Sequence, residues 1–246
     1  MVNFTRSATY DPYAALISIF GWLNGLPIPI IQAVTYTRND TAWPPPTFAQ
    51  LDAIPKITST MRIAKLSSFA TELATDSAVA QGQNNFFLTT TFVNTGEVTA
   101  AYMSAVWDLV NQAAVDLITV VGLAITMAFQ PLPHVLYSRD ASTNVLGLDR
   151  FQDDLINLLF TLIWTLPTDN ERVYARMRVL EQDVIALAKD MGVYNEWIYL
   201  NYASQWQKPV QSYGAQSVAF MKGVSTQYDP QGVFQNAVPG GFKLPN

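Results

Sequence analysis

Two neighbouring stretches decide the fold: LINLLFTLIW at Leu155–Trp164, and TDNERVYARMRVLEQDVIALAKDMG at Thr168–Gly192. The first is a long apolar run, which is typical of a buried strand. The second opens with Thr168 and Glu171 in the spacing of a capping box, with the threonine at the N-cap. Apolar residues then recur at helical spacing up to Gly192, which ends the helix. The pair predicts a core strand followed by a long amphipathic helix.

The rest of the chain mixes strands and helices. Alternation, or dense aromatic and β-branched residues, predicts strands at Ile30–Tyr36, Asn85–Asn94, Leu117–Gln130 and Trp197–Tyr202. Helical spacing predicts helices from Asp11-Pro12 through Phe20, over Met61–Ala74, over Thr95–Ala114 and after Tyr213-Gly214. These elements predict an α+β fold with helices on one face of a sheet. The half-polar strand at Ile30–Tyr36 indicates that the other face is open to solvent, a ligand or another domain.

Composition excludes several classes of function. The 14 Lys and Arg against 19 Asp and Glu give a net charge of −5, without the basic face that nucleic acid or an anionic membrane surface requires. The absence of cysteine excludes disulfides, thiolate nucleophiles and Cys-type metal sites. The single histidine, His134, is predicted to be a loop residue, and Asp153-Asp154 a solvated loop. No metal site and no phosphate-binding glycine motif is recognisable. A small, uncharged or weakly charged partner is favoured.

The C-terminal quarter carries four motifs in order: WIYLNYA (Trp197–Ala203), SYGA (Ser212–Ala215), YDPQGVFQ (Tyr228–Gln235) and VPGGFK (Val238–Lys243). Upstream motifs accompany them: DPY (11–13), TMRI (60–63), FLTTTF (87–92) and FQPLP (129–133). Together they resemble the C-terminal, substrate-binding part of fungal FAD-linked oxidases of the berberine-bridge-like family, in the vanillyl-alcohol oxidase superfamily. The resemblance implies a mainly antiparallel sheet. It also implies a substrate-binding domain at 1–203 and, at 204–246, a segment that packs against the flavin domain in relatives.

This resemblance also sets the expectations for cofactor and partners. The chain begins after the family's N-terminal flavin domain, so we expect no FAD to be bound by this chain alone, although FAD is the cofactor of the parent family. The expected partners are a small-molecule substrate and either a flavin-domain partner or a second copy in a homodimer. The start of the chain does not have the pattern of a signal peptide, while full-length relatives are often secreted.

The resemblance points to three site residues. Tyr199-Leu-Asn201 matches the family's Tyr-x-Asn motif, which lies beside the flavin ring and the substrate. Tyr199 is the catalytic candidate, because a phenol can donate or accept a proton. Asn201 and Gln130 are the candidates that face substrate or flavin. If Trp197–Tyr202 is a strand, Tyr199 and Asn201 lie on one face of it and Tyr202 on the other. The alternatives are an aromatic that only fills a core and an edge glutamine that bonds backbone.

Two functions from different classes follow. The chain is either the substrate-binding portion of an FAD-linked oxidoreductase acting on a small, mostly apolar molecule of secondary metabolism, or a flavin-free descendant. In the second case it is a non-redox isomerase, a cyclase or a binding protein, with Tyr199 as the acid or base. An inactive truncated product is a third reading.

Overall fold

The computed structural model describes residues 1–39, 42–76 and 81–245, which form a six-stranded sheet with flanking helices. The strands are β1 (Ala14–Leu23), β2 (Leu26–Tyr36), β3 (Asn84–Val93), β4 (Ala124–Leu132), β5 (Leu155–Trp164) and β6 (Tyr194–Asn195). The α-helices are α1 (Ala49–Asp52), α2 (Leu66–Asp76), α3 (Glu97–Asp116), α4 (His134–Tyr137), α5 (Asn170–Asp190), α6 (Pro209–Ser212), α7 (Ala215–Tyr228) and α8 (Val233–Asn236).

Every pair of neighbouring strands is antiparallel, in the order β2-β1-β4-β5-β3-β6. The predicted mainly antiparallel sheet is therefore confirmed. The apolar run Leu155–Trp164 is β5, which lies inside the sheet, so that Leu159 is paired with Ala128 on one side and Thr89 on the other. Because both edges of β5 are paired, its register determines which side chains of the sheet share a face.

The helices α3 and α5 cover one face of the sheet, as predicted. The even-numbered side chains of β5 are fully buried against them: Ile156, Leu158, Phe160, Leu162 and Trp164. The buried helical side chains include Tyr102, Val106 and Val110 of α3, and Val173, Met177, Leu180 and Val184 of α5. Burying one large apolar side chain contributes about 1.5–3 kcal/mol, so this layer is a major source of hydrophobic stabilisation.

The start of α5 differs from the predicted capping box. Pro167–Asp169 form a 3₁₀ turn, and the N-cap residue is Asp169, whose side chain makes no capping bond. Asn170 Oδ1 instead accepts a hydrogen bond from the indole of the buried Trp164, at 2.9 Å. The helix start is thus tied to the end of β5 by a tertiary contact.

The predicted helix from Asp11-Pro12 is wrong, since this segment forms the strand β1. Asp11 makes a turn in which its Oδ1 accepts from the Tyr13 amide at 3.0 Å and its carbonyl from the Ala14 amide. The side chains that follow alternate across the sheet: Leu16 and Ser18 are buried on the helical side, while their odd-numbered neighbours lie on the other. Pairing with both β2 and β4 outweighs the local helix signal.

Two further boundaries need correction. The strand predicted from Leu117 begins only at Ala124, because Leu117–Leu123 form turns that end α3 and include Gly122 with φ +69°. Leu117, Val120 and Leu123 are buried in these turns, which explains the uninterrupted apolar run. The helix predicted over Met61–Ala74 begins at Leu66.

Asp153-Asp154 was predicted to be a solvated loop, but the Asp154 side chain joins distant segments of the chain. The Asp154 carboxylate accepts hydrogen bonds from the Ser7 amide and the His134 amide, each at 2.9 Å, and from the Ser7 hydroxyl. Ser7 Oγ in turn accepts from the Val135 amide at 3.0 Å. One carboxylate therefore holds residues near the chain start and the beginning of α4 against β5. Asp153 is exposed, as predicted.

The sheet face opposite α3 and α5 is covered at one end only. There Leu155 packs in a second cluster with Tyr137, Leu148, Trp197 and Tyr213. Towards the other end Phe87 is 41% exposed, and Thr161 and Ile163 are partly exposed. We call this surface, formed by the odd-numbered side chains of β3 and β5 and the even-numbered ones of β4, the open face. Across the described residues no helix has the length and apolarity to cross a membrane.

Replacing Asp154 with alanine is expected to lower the free energy of unfolding by about 2 kcal/mol, because hydrogen bonds to a charged group contribute roughly 1.5–3 kcal/mol. The matched control is Asp153→Ala, which removes an exposed carboxylate and should change stability by less than about 0.5 kcal/mol. Urea unfolding measures both. Equal values for the two variants would show that the Asp154 contacts do not hold the segments together.

Candidate functional site

The segment Trp197–Tyr202, predicted to be a strand, is not one. Strand β6 ends at Asn195, whose Oδ1 accepts a hydrogen bond from the Trp197 amide at 2.9 Å and so turns the chain away from the sheet. Leu200–Tyr202 then form a 3₁₀ turn. The rule of alternating faces therefore does not apply. Tyr199 and Tyr202 lie together, with ring centroids 4.8 Å apart and ring planes at 84°.

The three predicted site residues are close to one another, with Tyr202 as a fourth member. Asn201 Nδ2 donates a hydrogen bond to the Tyr199 hydroxyl at 2.8 Å. Gln130 Nε2 donates to the Tyr202 hydroxyl at 3.1 Å, so Gln130 contacts the neighbouring tyrosine rather than Tyr199 or Asn201. We call these four residues the tyrosine cluster. Tyr202 also meets the exposed Phe87 edge-on, at 6.3 Å between ring centroids, which places the cluster over the open face.

Aromatic stacking holds the tyrosine cluster in place. The Tyr199 ring stacks on Trp197 at 5.8 Å, and Trp197 stacks on Tyr213 at 6.2 Å. The Trp197 indole donates to the Leu146 carbonyl at 3.0 Å. The hydroxyl of Tyr213 accepts from the Leu200 amide at 3.3 Å, and burial raises the pKa of this phenol, so it stays neutral. Tyr199 is therefore positioned by a stack of rings rather than by a strand.

Sequence analysis missed Asn157, the neighbour of Gln130 on β5. In the register of the sheet, Asn157 lies directly between Thr91 of β3 and Gln130 of β4. Its Nδ2 donates to Thr89 Oγ1 at 3.0 Å and to Thr91 Oγ1 at 3.2 Å. Its Oδ1 is buried and has no partner among the residues that the structure describes. An unmatched buried acceptor costs about 1–3 kcal/mol, so this oxygen is suited to a donor supplied from outside the chain.

A signal for Asn157 was present in the sequence. It is an amide within the otherwise mostly apolar run of β5, where a buried polar group requires partners. Its position beside Gln130 depends on the strand register, which the sequence did not provide.

The polar groups of the tyrosine cluster and of Asn157 are uncharged and can act as hydrogen-bond donors and acceptors. The tyrosine cluster and the adjoining Asn157 carry amide and phenol groups but no carboxylate, amine or guanidinium. Because Asn201 donates to the Tyr199 hydroxyl, the proton of that hydroxyl remains available for an acceptor on a ligand. The exposed ring of Phe87 offers an apolar contact beside these polar groups.

Two surface cavities lie away from the tyrosine cluster. One, of about 720 Å³, is lined by residues that include Phe4, Leu16 and Leu51. The other, of about 500 Å³, lies between α3 and α5 beside Leu109 and Leu187. The described part of the chain contains no group of three or more His, Cys, Asp or Glu side chains placed to hold a metal ion.

Comparison with known proteins shows similarity to proteins named as FAD-dependent monooxygenases. No protein-family model matches the chain. It is 33% identical over 247 residues to the FAD-dependent monooxygenase sdcF of Emericella nidulans, a match covering 98% of this chain and 50% of that protein. It is 30% identical over 253 residues to the FAD-dependent monooxygenase tpcD of Cochliobolus heterostrophus, covering 99% of this chain and 48% of that protein.

One similar protein carries a different name. The oligopeptidase PhomG' of Diaporthe leptostromiformis is 33% identical over 249 residues, which cover 99% of this chain but 20% of that protein. Most of that protein therefore lies outside the match.

Among solved structures, 6-hydroxy-D-nicotine oxidase from Arthrobacter nicotinovorans has the same fold over 94% of this chain and 48% of its own, with a TM-score of 0.65 and 14% sequence identity. The chain spans about half the length of the FAD-dependent monooxygenases named above. It is thus similar, over nearly all of its length, to one half of fungal proteins named FAD-dependent monooxygenases.

Proposed function

We propose that this chain is the substrate-binding portion of a berberine-bridge-like FAD-linked oxidoreductase that acts on a small, mostly apolar, uncharged molecule. The observation that carries the proposal is the tyrosine cluster over the open face, where Asn201 bonds Tyr199, and Tyr202 links this pair to Gln130 and to the exposed Phe87. The similarity to half of several FAD-dependent monooxygenases supports it.

The residues of this chain fit the substrate side of such a site but not the cofactor's pyrophosphate. A dinucleotide needs a glycine-rich turn, a helix N-terminus or basic side chains for its phosphates. No such group belongs to the tyrosine cluster, and Arg150 on the neighbouring loop is engaged with Glu196 at 2.5 Å and with the Ser212 carbonyl at 2.6 Å. In the proposal, FAD is held by a flavin domain from elsewhere and supplies the acceptor for the substrate's electrons.

Each residue of the cluster then has a defined task. Tyr199 holds or moves a proton at a polar atom of the substrate, while Asn201 keeps the phenol oriented through its 2.8 Å hydrogen bond. Phe87 and the ring of Tyr202 contact the apolar part of the substrate. The unmatched Oδ1 of Asn157, on the strand beside Gln130, is the acceptor for an N–H or O–H of the ligand.

The second candidate is a flavin-free binding protein or non-redox isomerase. It is favoured by one observation: Asn201 already orients the Tyr199 hydroxyl by a hydrogen bond within this chain, so this phenol needs no flavin to position it. In that case Tyr199 acts as acid or base on a bound substrate without electron transfer.

A visible absorption spectrum distinguishes both candidate functions from a third case, an oxidase that binds FAD without another domain. We expect the purified chain to show no flavin bands, because its residues do not fit the pyrophosphate. After addition of FAD and gel filtration, the spectrum should remain clear. Flavin bands near stoichiometric occupancy would contradict the assignment of FAD binding to another domain.

In the longer flavin-containing protein, Tyr199→Phe should lower kcat by roughly 10²- to 10⁴-fold, the usual range for a lost acid or base. Substrate affinity should change little, because the ring and its stack on Trp197 are kept. The matched control is Tyr194→Phe, which removes a hydroxyl from a tyrosine of β6 that is 39% exposed beside Lys189 of α5 and should leave turnover unchanged. Full activity of Tyr199→Phe would show that Tyr199 only packs.

A further inference from the structure

The outer edge of the sheet is formed by β2, and it is unusually apolar. Within the described residues no strand pairs with this edge. Its large side chains are exposed: Leu26 by 70%, Ile30 by 56% and Ile31 by 53%. No charged residue occurs anywhere from Ala14 to Tyr36, the whole β1–β2 hairpin.

The hydrogen bond next to the C-terminal end of β2 shows which of its backbone groups point towards β1 and which point outward. The Thr37 amide donates to the Tyr13 carbonyl at 3.0 Å, so the odd-numbered residues of this part of β2 bond β1. Because backbone groups alternate along a strand, the N–H and C=O groups of Gln32 and Val34 point outward.

The two halves of β2 differ in how well they are protected against pairing with another strand. Proteins block exposed edges with proline, bulges and charged side chains. The first half of β2 has Pro27 and Pro29, together with the register shift opposite Ile19 and Gly21. The second half, from Ile30 to Val34, has no proline and no charge. This half is open to pairing with another strand.

We propose that the second half of β2 pairs with the same segment of a second copy of this chain. A twofold axis through Gln32 makes the two strands antiparallel, with Ile30 opposite Val34 of the partner subunit. Two backbone hydrogen bonds then form between the two copies of Gln32, with further ones from the outward groups of Val34. The two six-stranded sheets become one continuous sheet, and Ile31 lies beside Ala33 of the partner subunit, on the same side of the sheet as the open face.

A second copy fits this edge better than a charged partner does. The strand offers no charge that selects an oppositely charged protein, and a strand without charge meets its own copy without repulsion. The exposed isoleucines lose water in the same contact. The pairing involves about five residues on each subunit, so its area lies at the low end of specific interfaces, below about 1,200 Å². The dimer should therefore be weak and concentration-dependent.

Cross-linking tests the pairing and its register, because the chain has no cysteine of its own. In the proposed dimer the two copies of residue 32 are hydrogen-bonded neighbours, with Cα atoms about 5.5 Å apart, a separation that a disulfide spans. Gln32→Cys should give a disulfide-linked dimer on mild oxidation at protein concentrations of tens of micromolar. The control Ile57→Cys, at a residue that is 86% exposed on another part of the chain, should cross-link far more slowly. Equal rates for the two variants would overturn the proposal.

Sedimentation velocity over a concentration series provides the second test and needs no cross-link. Ile31→Lys places two like charges close together across the axis and should weaken dimerisation by about tenfold or more. Ile57→Lys makes the same chemical change away from β2 and should leave the dissociation constant unchanged. A chain that stays monomeric at all concentrations would overturn the proposal. So would equal dimerisation of the two lysine variants.

Discussion

The alternation of side chains along β5 is the constraint on which the rest of the structure depends. This strand is hydrogen-bonded on both edges, so its register cannot shift without breaking its pairing with β3 and β4. One set of its side chains, from Ile156 to Trp164, is fully buried against α3 and α5. The other set includes Asn157 and faces away from the helices. A single strand therefore anchors the core and supports the candidate site.

The candidate site consists of side chains from the sheet and of an irregular segment that packs over them. Tyr202 belongs to a 3₁₀ turn and Tyr199 directly precedes it, and the stack of Tyr199 on Trp197 orients this segment. Gln130 joins the turn to the sheet through its hydrogen bond to Tyr202. Irregular segments held on a rigid scaffold are common carriers of function, since they can present polar groups at angles that a strand does not offer. The proposed roles of Tyr199 and Asn201 depend on this arrangement.

Sequence reasoning succeeded for elements whose own residues form a long, regular apolar pattern. The long helix α5 and the strands β3 and β5 were predicted because their apolar patterns extend over ten residues or more. It failed at β1, where Asp11-Pro12 resembles a helix start but pairing with two strands decides the conformation.

The errors at the site had a similar cause. Trp197–Tyr202 has the composition of a strand, yet the edge of β3 beyond β6 is occupied by the Gln207 side chain. Its Oε1 accepts from the Thr89 amide at 3.3 Å, and its Nε2 donates to the Thr89 carbonyl at 2.7 Å. Asn157 was missed because only the register shows that it lies beside Gln130. The proximity of Tyr199 and Asn201 was predicted, although the predicted reason, alternation along a strand, was wrong.

The central claim is that the open face around Tyr199 receives the substrate and the flavin domain. Hydroxyl-radical footprinting, comparing this chain with the longer FAD-containing protein, tests it most directly because it measures the exposure of individual side chains. We expect Phe87 and Tyr199 to become protected in the longer protein, while Val179, which is 47% exposed on α5, keeps its reactivity. Unchanged reactivity of Phe87 and Tyr199, together with protection of Val179, would contradict the claim.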